Sequence, residues 1–425
     1  ETSTTINHNM LELDGPIPWD TLLFVIGHIN YGGRVTDDLD RRCLLAILEQ
    51  YVTPEILKPE YQFSASGLYK CPPGSDTATV ADFRKWVDQF PLTEMPEVYG
   101  MHENANISYM QQASEMILNV VLSIQPREAG GGGGGKTPEE TVMDLCIDQE
   151  NRLPALLSDE NAHPSSFEII EETGLMKSIG TCLGQEMARF NALLKQVLKT
   201  LKEEQKAIKG TIVMTQDLDD MFQAEVNNQV PVIWSKNVGY PSLKPLSSWY
   251  DDMIQRVEFF RDWIERGEPT AFWISSFYFP QGFLTSVLQG YSRKNQIPVD
   301  QLSFEFEIEN TADPQDMEDP PELGIYIHGI FMDGAAWNYT KRAIDVQEFG
   351  VMFIRAPVIN MIPIKDKTPN TERFAMPLYK TSVRAGTLST TGHSTNYVLS
   401  IEVDTNEPPS FWVLKGAALL TMLND

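Results

Sequence analysis

The stretch Ser303-Phe304-Glu305-Phe306-Glu307-Ile308 decides the class of this fold. Phe304, Phe306 and Ile308 alternate with Ser303, Glu305 and Glu307. A period of two puts apolar side chains on one face of a strand and polar ones on the other. The pattern recurs downstream. Ile325 and Ile327 alternate with Tyr326 and His328, and Tyr397, Leu399, Ile401 and Val403 alternate with Val398, Ser400 and Glu402. Phe411-Trp412-Val413-Leu414 reads as a last apolar run of the same β region. Upstream the period changes. Ile179, Leu183, Met187, Phe190, Leu194, Val197 and Leu201 recur every three or four residues, which predicts one long helix from about Leu175 to Gly210, stopped by the glycine. Helices first and strands afterwards predict an α+β architecture, helical over the N-terminal two-thirds, and not a doubly wound α/β sheet.

The other helices are placed by the same spacing. Pro18-Trp19-Asp20 opens one carrying Leu22, Leu23, Phe24, Val25 and Ile26, and Tyr31-Gly32-Gly33-Arg34 is a turn. Thr36, Asp37 and Asp38 stand at the head of the next, where acids suit the positive end of the helix dipole. Ala113, Met116, Ile117, Val120, Val121 and Ile124 are also helical in spacing. Residues 137–205 read as helical, followed by helices near Asp217–Glu225, Leu246–Glu265 and Pro280–Asn295.

The protein has 425 residues, 33 Lys plus Arg against 59 Asp plus Glu, and a formal net charge of −26. Such a balance repels phosphate backbones and anionic lipid, so neither nucleic acid nor a membrane is expected as partner. The N-terminus Glu1-Thr2-Ser3-Thr4-Thr5 has no basic or apolar leader region, and the missing initiator Met is expected of a piece of a longer protein or a processed product. Cys43, Cys71, Cys146 and Cys182 form no C-x-x-C pair, and their irregular gaps predict scattered thiols, not a disulfide framework or a zinc site. The six histidines are dispersed, without H-E-x-x-H spacing, and no G-x-S-x-G elbow occurs. The acidic segment 313–322 carries three prolines and no EF-hand spacing, so it reads as a solvated loop and not a Ca²⁺ site.

One motif invites a catalytic reading. Gly130-x-x-x-x-Gly135-Lys136-Thr137 satisfies the Walker A expression, in which backbone N–H groups cradle phosphates, the lysine reaches the β/γ oxygens and the hydroxyl holds Mg²⁺. That geometry requires a strand before the loop and a helix beginning inside it. Here the preceding segment has helical period. Pro138 biases Thr137 away from the α region and removes an N–H from the first turn. Six consecutive glycines meet the spacing trivially. Gly130, Gly135, Lys136 and Thr137 are therefore read as a false match within a flexible glycine loop over residues 129–137. No catalytic residue, cofactor or metal is expected.

Longer strings carry a family resemblance. Ile17-Pro18-Trp19-Asp20, the run Ile29-Asn30-Tyr31-Gly32-Gly33-Arg34-Val35-Thr36-Asp37-Asp38, and Asp40-Arg41-Arg42 resemble the lid of the sixth AAA module of dynein heavy chains. Tyr99-Gly100-Met101-His102 and Asn104-Ala105-Asn106-Ile107 are similar to the junction after it. Tyr240-Pro241-Ser242-Leu243-Lys244-Pro245-Leu246, Phe279-Pro280-Gln281, Ile297-Pro298-Val299-Asp300, and the run from Gly386 through Gly392-His393-Ser394-Thr395-Asn396-Tyr397-Val398 resemble the C-terminal domain of that family, in its axonemal branch. The polyglycine run and the acidic segment 313–322 depart from it as loop insertions.

The resemblance implies a lid over residues 1–66, a connector over 67–101, the helical part of the C-terminal domain over 102–302 and a small antiparallel β-barrel over 303–425. It implies a non-catalytic segment that caps and regulates the AAA ring of a microtubule motor in the ciliary or flagellar axoneme. ATP sites would lie elsewhere in the heavy chain. The implied partners are the ring and linker of the same heavy chain and other dynein chains, with the microtubule only indirect. Two other readings remain at this stage: a P-loop hydrolase using Gly130–Thr137, and a stand-alone adaptor of the same fold.

Overall fold

A computed structural model describes residues 16–58, 60–70, 79–92, 94–101, 104–124, 137–171, 173–236, 238–368, 370–384, 386–387 and 392–423. Helix α1 (Trp19–Phe24) runs into a wider π turn over Val25–Asn30. Gly27 in that turn lies against Leu45, and a Cβ there would come within 2.5 Å of the end of the leucine side chain, which would have to shift. That helix, α2 (Asp38–Tyr51), is capped by Asp37, whose carboxylate accepts from the N–H groups of Leu39 at 2.8 Å and Asp40 at 3.2 Å. Helix α3 (Val80–Val87) and helix α4 (Asn104–Ile124) follow, the first with a Thr79–Asp82 capping box.

Helix α5 (Pro138–Arg152) ends sooner than the sequence suggests. Among the described residues between 153 and 177 none is helical. The backbone there carries instead the short hairpin of β1 (Ile169–Ile170) and β2 (Leu175–Met176). Pro154 and Pro164 interrupt the helix, and Gly174 turns the hairpin at φ +66°. Helix α6 then runs from Ser178 to Ile208. Leu183, Phe190, Leu194, Val197 and Leu201 are buried as expected, while Ile179 and Met187 are half-buried. Lys195, Lys199, Lys202 and Lys206 lie on the opposite side, with the Lys199 and Lys202 side chains open to solvent.

Helices α7 (Gln216–Val226), α8 (Val232–Ser235) and α9 (Leu246–Arg266) pack behind α6. Gly267 ends α9 at φ +100°. Strand β3 (Ala271–Trp273) precedes helix α10 (Pro280–Asn295). Buried Glu186 of α6 accepts the Tyr278 N–H at 2.8 Å and thereby fixes the approach to α10.

The strand region contains β4 (Leu302–Ile308), β5 (Ile325–His328), β6 (Phe331–Asp333), β7 (Ala336–Asn338), β8 (Ala343–Asp345), β9 (Ile354–Arg355), β10 (Ile359–Lys365), β11 (Arg373–Tyr379), β12 (Tyr397–Asp404) and β13 (Ala418–Leu420). In β4, Leu302, Phe304 and Phe306 are buried and Ser303 and Glu307 exposed, the alternation read from the sequence. The strands form a four-stranded sheet in the order β3-β5-β10-β4, a five-stranded sheet in the order β12-β11-β13-β6-β9, and the β7-β8 hairpin. Among the described residues these sheets are open, and no closed barrel forms. The two larger sheets are joined at their edge strands β4 and β12 by charge. Lys367 donates to the Phe304 carbonyl at 2.8 Å and lies 2.9 Å from Glu402, while Arg373 bridges Glu305 at 3.0 Å and Asp404 at 2.8 Å.

The run Phe411–Leu414 is not a strand. It belongs to helix α11 (Pro409–Leu414), started by Pro409 in its first turn. Four consecutive apolar residues do not alternate, and the helix turns Trp412 and Val413 into the core. Strand β3, encoded inside the helical two-thirds, pairs in parallel with β5, with Phe272 opposite Ile327. One continuous apolar core accordingly contains Phe190, Trp249 and Phe260 from helices together with Phe306, Met361 and Phe374 from strands.

Candidate functional site

Gly130, Gly135 and Lys136 lie outside the described residues. Thr137 is described, and it is the cap of α5. Its backbone is extended, at φ −68° and ψ 160°. Its hydroxyl accepts from Glu140 N at 3.2 Å, and Glu140 Oε2 accepts from Thr137 N at 3.0 Å, a reciprocal capping box. Pro138 occupies the first helical position, where a missing N–H costs nothing. The apolar segment upstream, α4, is a helix.

Asp37, Arg42, His393 and Tyr397, four of the residues quoted for the family resemblance, meet where α2 approaches the C-terminal sheet and α11. Asp37 uses one carboxylate oxygen to cap α2, and its other oxygen lies 3.0 Å from His393 Nδ1. His393 in turn packs on Tyr397, with ring centroids 4.8 Å apart. One turn into α2, Arg42 donates to the Ala375 carbonyl of β11 at 2.8 Å, and its guanidinium lies 5.1 Å from the Phe374 ring centroid. Asn104, the first residue of α4 and 4% exposed, donates to the carbonyls of Glu348 and Val351 at 3.3 and 3.0 Å and accepts from Gly350 N at 3.0 Å. Each hydrogen bond that joins α2 or α4 to the β region spans more than 240 positions of sequence. The N-terminal helices are therefore fastened to the β region through directional polar bonds, which fix orientation as well as proximity.

A polar cavity of about 700 Å³ opens between α9 and the four-stranded sheet, lined among others by Lys244, Arg256, His328 and Arg355. Arg256 is 1% exposed. Its Nε donates to Asp252 at 2.6 Å, its Nη1 donates to the Ser275 carbonyl, and its guanidinium lies 4.2 Å from the Tyr240 ring centroid. Burial pushes His328 down to about 4, and the neighbouring Arg355 adds to the shift while Asp313 opposes it. The unfolded protein takes up this proton near pH 6.5, before the folded protein does. Stability therefore falls as pH drops from about 6.5 towards 4. Between pH 7 and pH 5 this one group should remove roughly 2 kcal/mol. Urea unfolding at the two pH values checks it, because that part of the loss should vanish in His328→Asn.

The sequence reading missed one group altogether. Cys146 of α5, Glu204 of α6 and Glu225 of α7 are all buried, with ligand atoms within 4.8 Å of one another. Burial raises both carboxyls, with repulsion from Glu225 adding to the rise at Glu204, and burial raises the thiol. Spacing could not reveal the group, since the glutamates lie 58 and 79 positions after the cysteine. Among the described residues this group has the donor types to hold a metal. Among the described residues, no helix is long and apolar enough to cross a membrane.

Residues 1–105 match the family model described as "Dynein heavy chain AAA lid domain", and residues 111–421 match the model for the C-terminal domain of the dynein heavy chain. The sequence is 40% identical to human Dynein axonemal heavy chain 6 over 431 aligned positions, covering 97% of this protein and 10% of that one. It is 40% identical to rat Dynein axonemal heavy chain 1, over 96% of its own length and 9% of that protein. With mouse Dynein axonemal heavy chain 12 it shares 39% identity, over 96% of its own length and 13% of that protein. It thus spans about a tenth of the length of these relatives. The junction built by Asp37, Arg42 and Asn104 joins the segment matching the lid to the segment matching the C-terminal domain, and the protein belongs to the dynein heavy chain family.

Proposed function

We propose that this protein is the ring-capping, regulatory end of an axonemal dynein heavy chain, and that it does no chemistry itself. The observation that carries the reading is the fastening of α2 to β11 and to the loop preceding β12 through Arg42 and Asp37. A lid moves with the state of its AAA module. A lid bonded directionally to a C-terminal sheet passes that movement on as a rigid displacement. The parent protein is then a microtubule-stimulated ATPase whose ATP sites lie outside this segment. Its partners are the ring and linker of the same heavy chain and other dynein chains, and its place is the axonemal cytoskeleton. The division is a lid at 1–66, a connector at 67–101, a helical part at 102–302 and a β part at 303–425, whose two sheets, joined at β4 and β12, form the open equivalent of the family's barrel.

Gly130–Thr137 is a coincidental Walker A match in this reading. The capping role of Thr137, the proline after it and the helical α4 before it support that view. A test in the full-length heavy chain separates the readings. Arg42→Ala should change microtubule-stimulated ATP turnover several-fold, and Lys136→Ala should leave it unchanged. A silent Arg42→Ala with turnover lost in Lys136→Ala would replace this proposal by nucleotide hydrolysis at the glycine loop.

A further inference from the structure

We propose that Cys146, Glu204 and Glu225 form a three-donor binding site for a single divalent cation of the zinc class, with the fourth tetrahedral position left to water. Three helices, α5, α6 and α7, each contribute one donor. Cys146 Sγ lies 3.9 Å from Glu204 Oε2 and 3.5 Å from Glu225 Oε2. Tetrahedral zinc with Zn–S of about 2.3 Å and Zn–O of about 2.0 Å holds its sulfur and oxygen ligands roughly 3.5 Å apart. The donors are thus already spaced as a coordination shell and need only small adjustments to close on an ion.

The surroundings point the same way. Cys146 and Glu204 are 0% exposed and Glu225 is 4% exposed. Among the described residues no Lys, Arg or His forms an ion pair with either glutamate. The nearby cation Lys202 is turned outward to Glu150, at 3.6 Å. The Cys146 thiol donates to Oε2 of both glutamates, and the two carboxyl groups are within hydrogen-bond reach of each other, but Oε1 of each is buried with no other donor beside it. A separate group adds to this. Gln149, one turn beyond Cys146 on the same buried face of α5, is 2% exposed, and its Oε1 also lacks a partner. Buried acceptors are normally satisfied, so the two Oε1 atoms of the glutamates beside this thiol leave a place for an ion. The donor set selects the ion. Calcium and magnesium take oxygen ligands, whereas a thiolate with carboxylates suits zinc.

Binding would release the thiol proton and any proton held by the carboxyls to solvent, leaving the anionic ligands on the metal. The ion would pin α5 to α6 and α7, directly after the glycine-rich stretch, and would replace a core contact that three acidic groups otherwise weaken.

The test uses the full 425-residue protein, prepared with added zinc and then passed free of excess metal. An equimolar zinc content by mass spectrometry is expected. Cobalt substitution should give a thiolate-to-cobalt charge-transfer band. Cys146→Ser and Glu204→Gln should each weaken zinc binding by at least an order of magnitude, and Cys146→Ser should abolish the band. Glu204→Gln is close in shape to a protonated glutamate, so an unchanged circular dichroism spectrum separates lost binding from lost fold. The proposal is overturned if the wild-type protein holds no more zinc than Glu204→Gln, or if cobalt binds without the band. A proton shared by Glu204 and Glu225 would then be what occupies the cluster.

Discussion

Replacing Phe190 with alanine should lower the stability of the protein by about 3–5 kcal/mol. The ring is 0% exposed and sits midway along α6 in a nest of aromatics. Its centroid lies 4.7 Å from Tyr278, edge on, and 5.2 Å from Phe260. Truncation removes the apolar area of the ring and leaves a cavity that rigid neighbouring rings cannot collapse to fill. Urea unfolding reads the loss as a lower midpoint with an unchanged slope. On the exposed face, Lys199→Ala should stay within about 0.5 kcal/mol, because its partner Glu203 is 4.0 Å away and solvated. If Phe190→Ala kept its stability but bound a dynein ring less well, the stripe would be a docking face and the core assignment would fall.

Arg256→Ala should cost a comparable amount, roughly 3–5 kcal/mol, for a different reason. The arginine is the single buried cation beside Asp252 among the ion pairs of the described residues, and Asp252 also accepts from Tyr240 at 3.0 Å. Removing the guanidinium leaves a mostly buried carboxylate uncompensated and the Ser275 carbonyl without its donor. Arg256→Lys should rescue little, since one ammonium cannot serve Asp252 and the Ser275 carbonyl in the planar fork that arginine provides. The signature is non-additivity. Arg256→Met combined with Asp252→Asn should lose distinctly less than the sum of the two single variants, measured as a double-mutant cycle of urea midpoints. Additive losses would show that packing alone, and not charge, holds the position.

Where periodicity is strong, the sequence reading and the structure agree. The bounds Pro280–Asn295 of α10 are those read from the sequence, and the alternation at Phe304 and Phe306 is the burial pattern of β4. Periodicity fails where the burial of a residue depends on distant partners. Glu186, Thr200 and Glu204 lie on the buried side of α6, but polarity alone files them with the solvent face. Strand β3 is three residues long, too short for any period to register, and it exists because β5 offers it an edge. The junction is legible only through resemblance. Nothing in the local spacing of Asp37 or Arg42 says that His393 and Ala375 will meet them. Residues 153–177 mislead for a different cause, since prolines and a positive-φ glycine override a composition that still looks helical.

The position of β13 has a consequence for how the protein is made. Residues 418–420 lie in the middle of the five-stranded sheet, parallel to β11 on one side and antiparallel to β6 on the other. Everything else in that sheet leaves the ribosome earlier and must wait, with the facing edges of β6 and β11 unpaired, until Leu420 is free. A message cut short by even a few codons before this point would yield a polypeptide whose central seam cannot close. Exposed strand edges are what chaperones hold and what aggregates grow from. Only a polypeptide read through to β13 can hide the facing edges of β6 and β11.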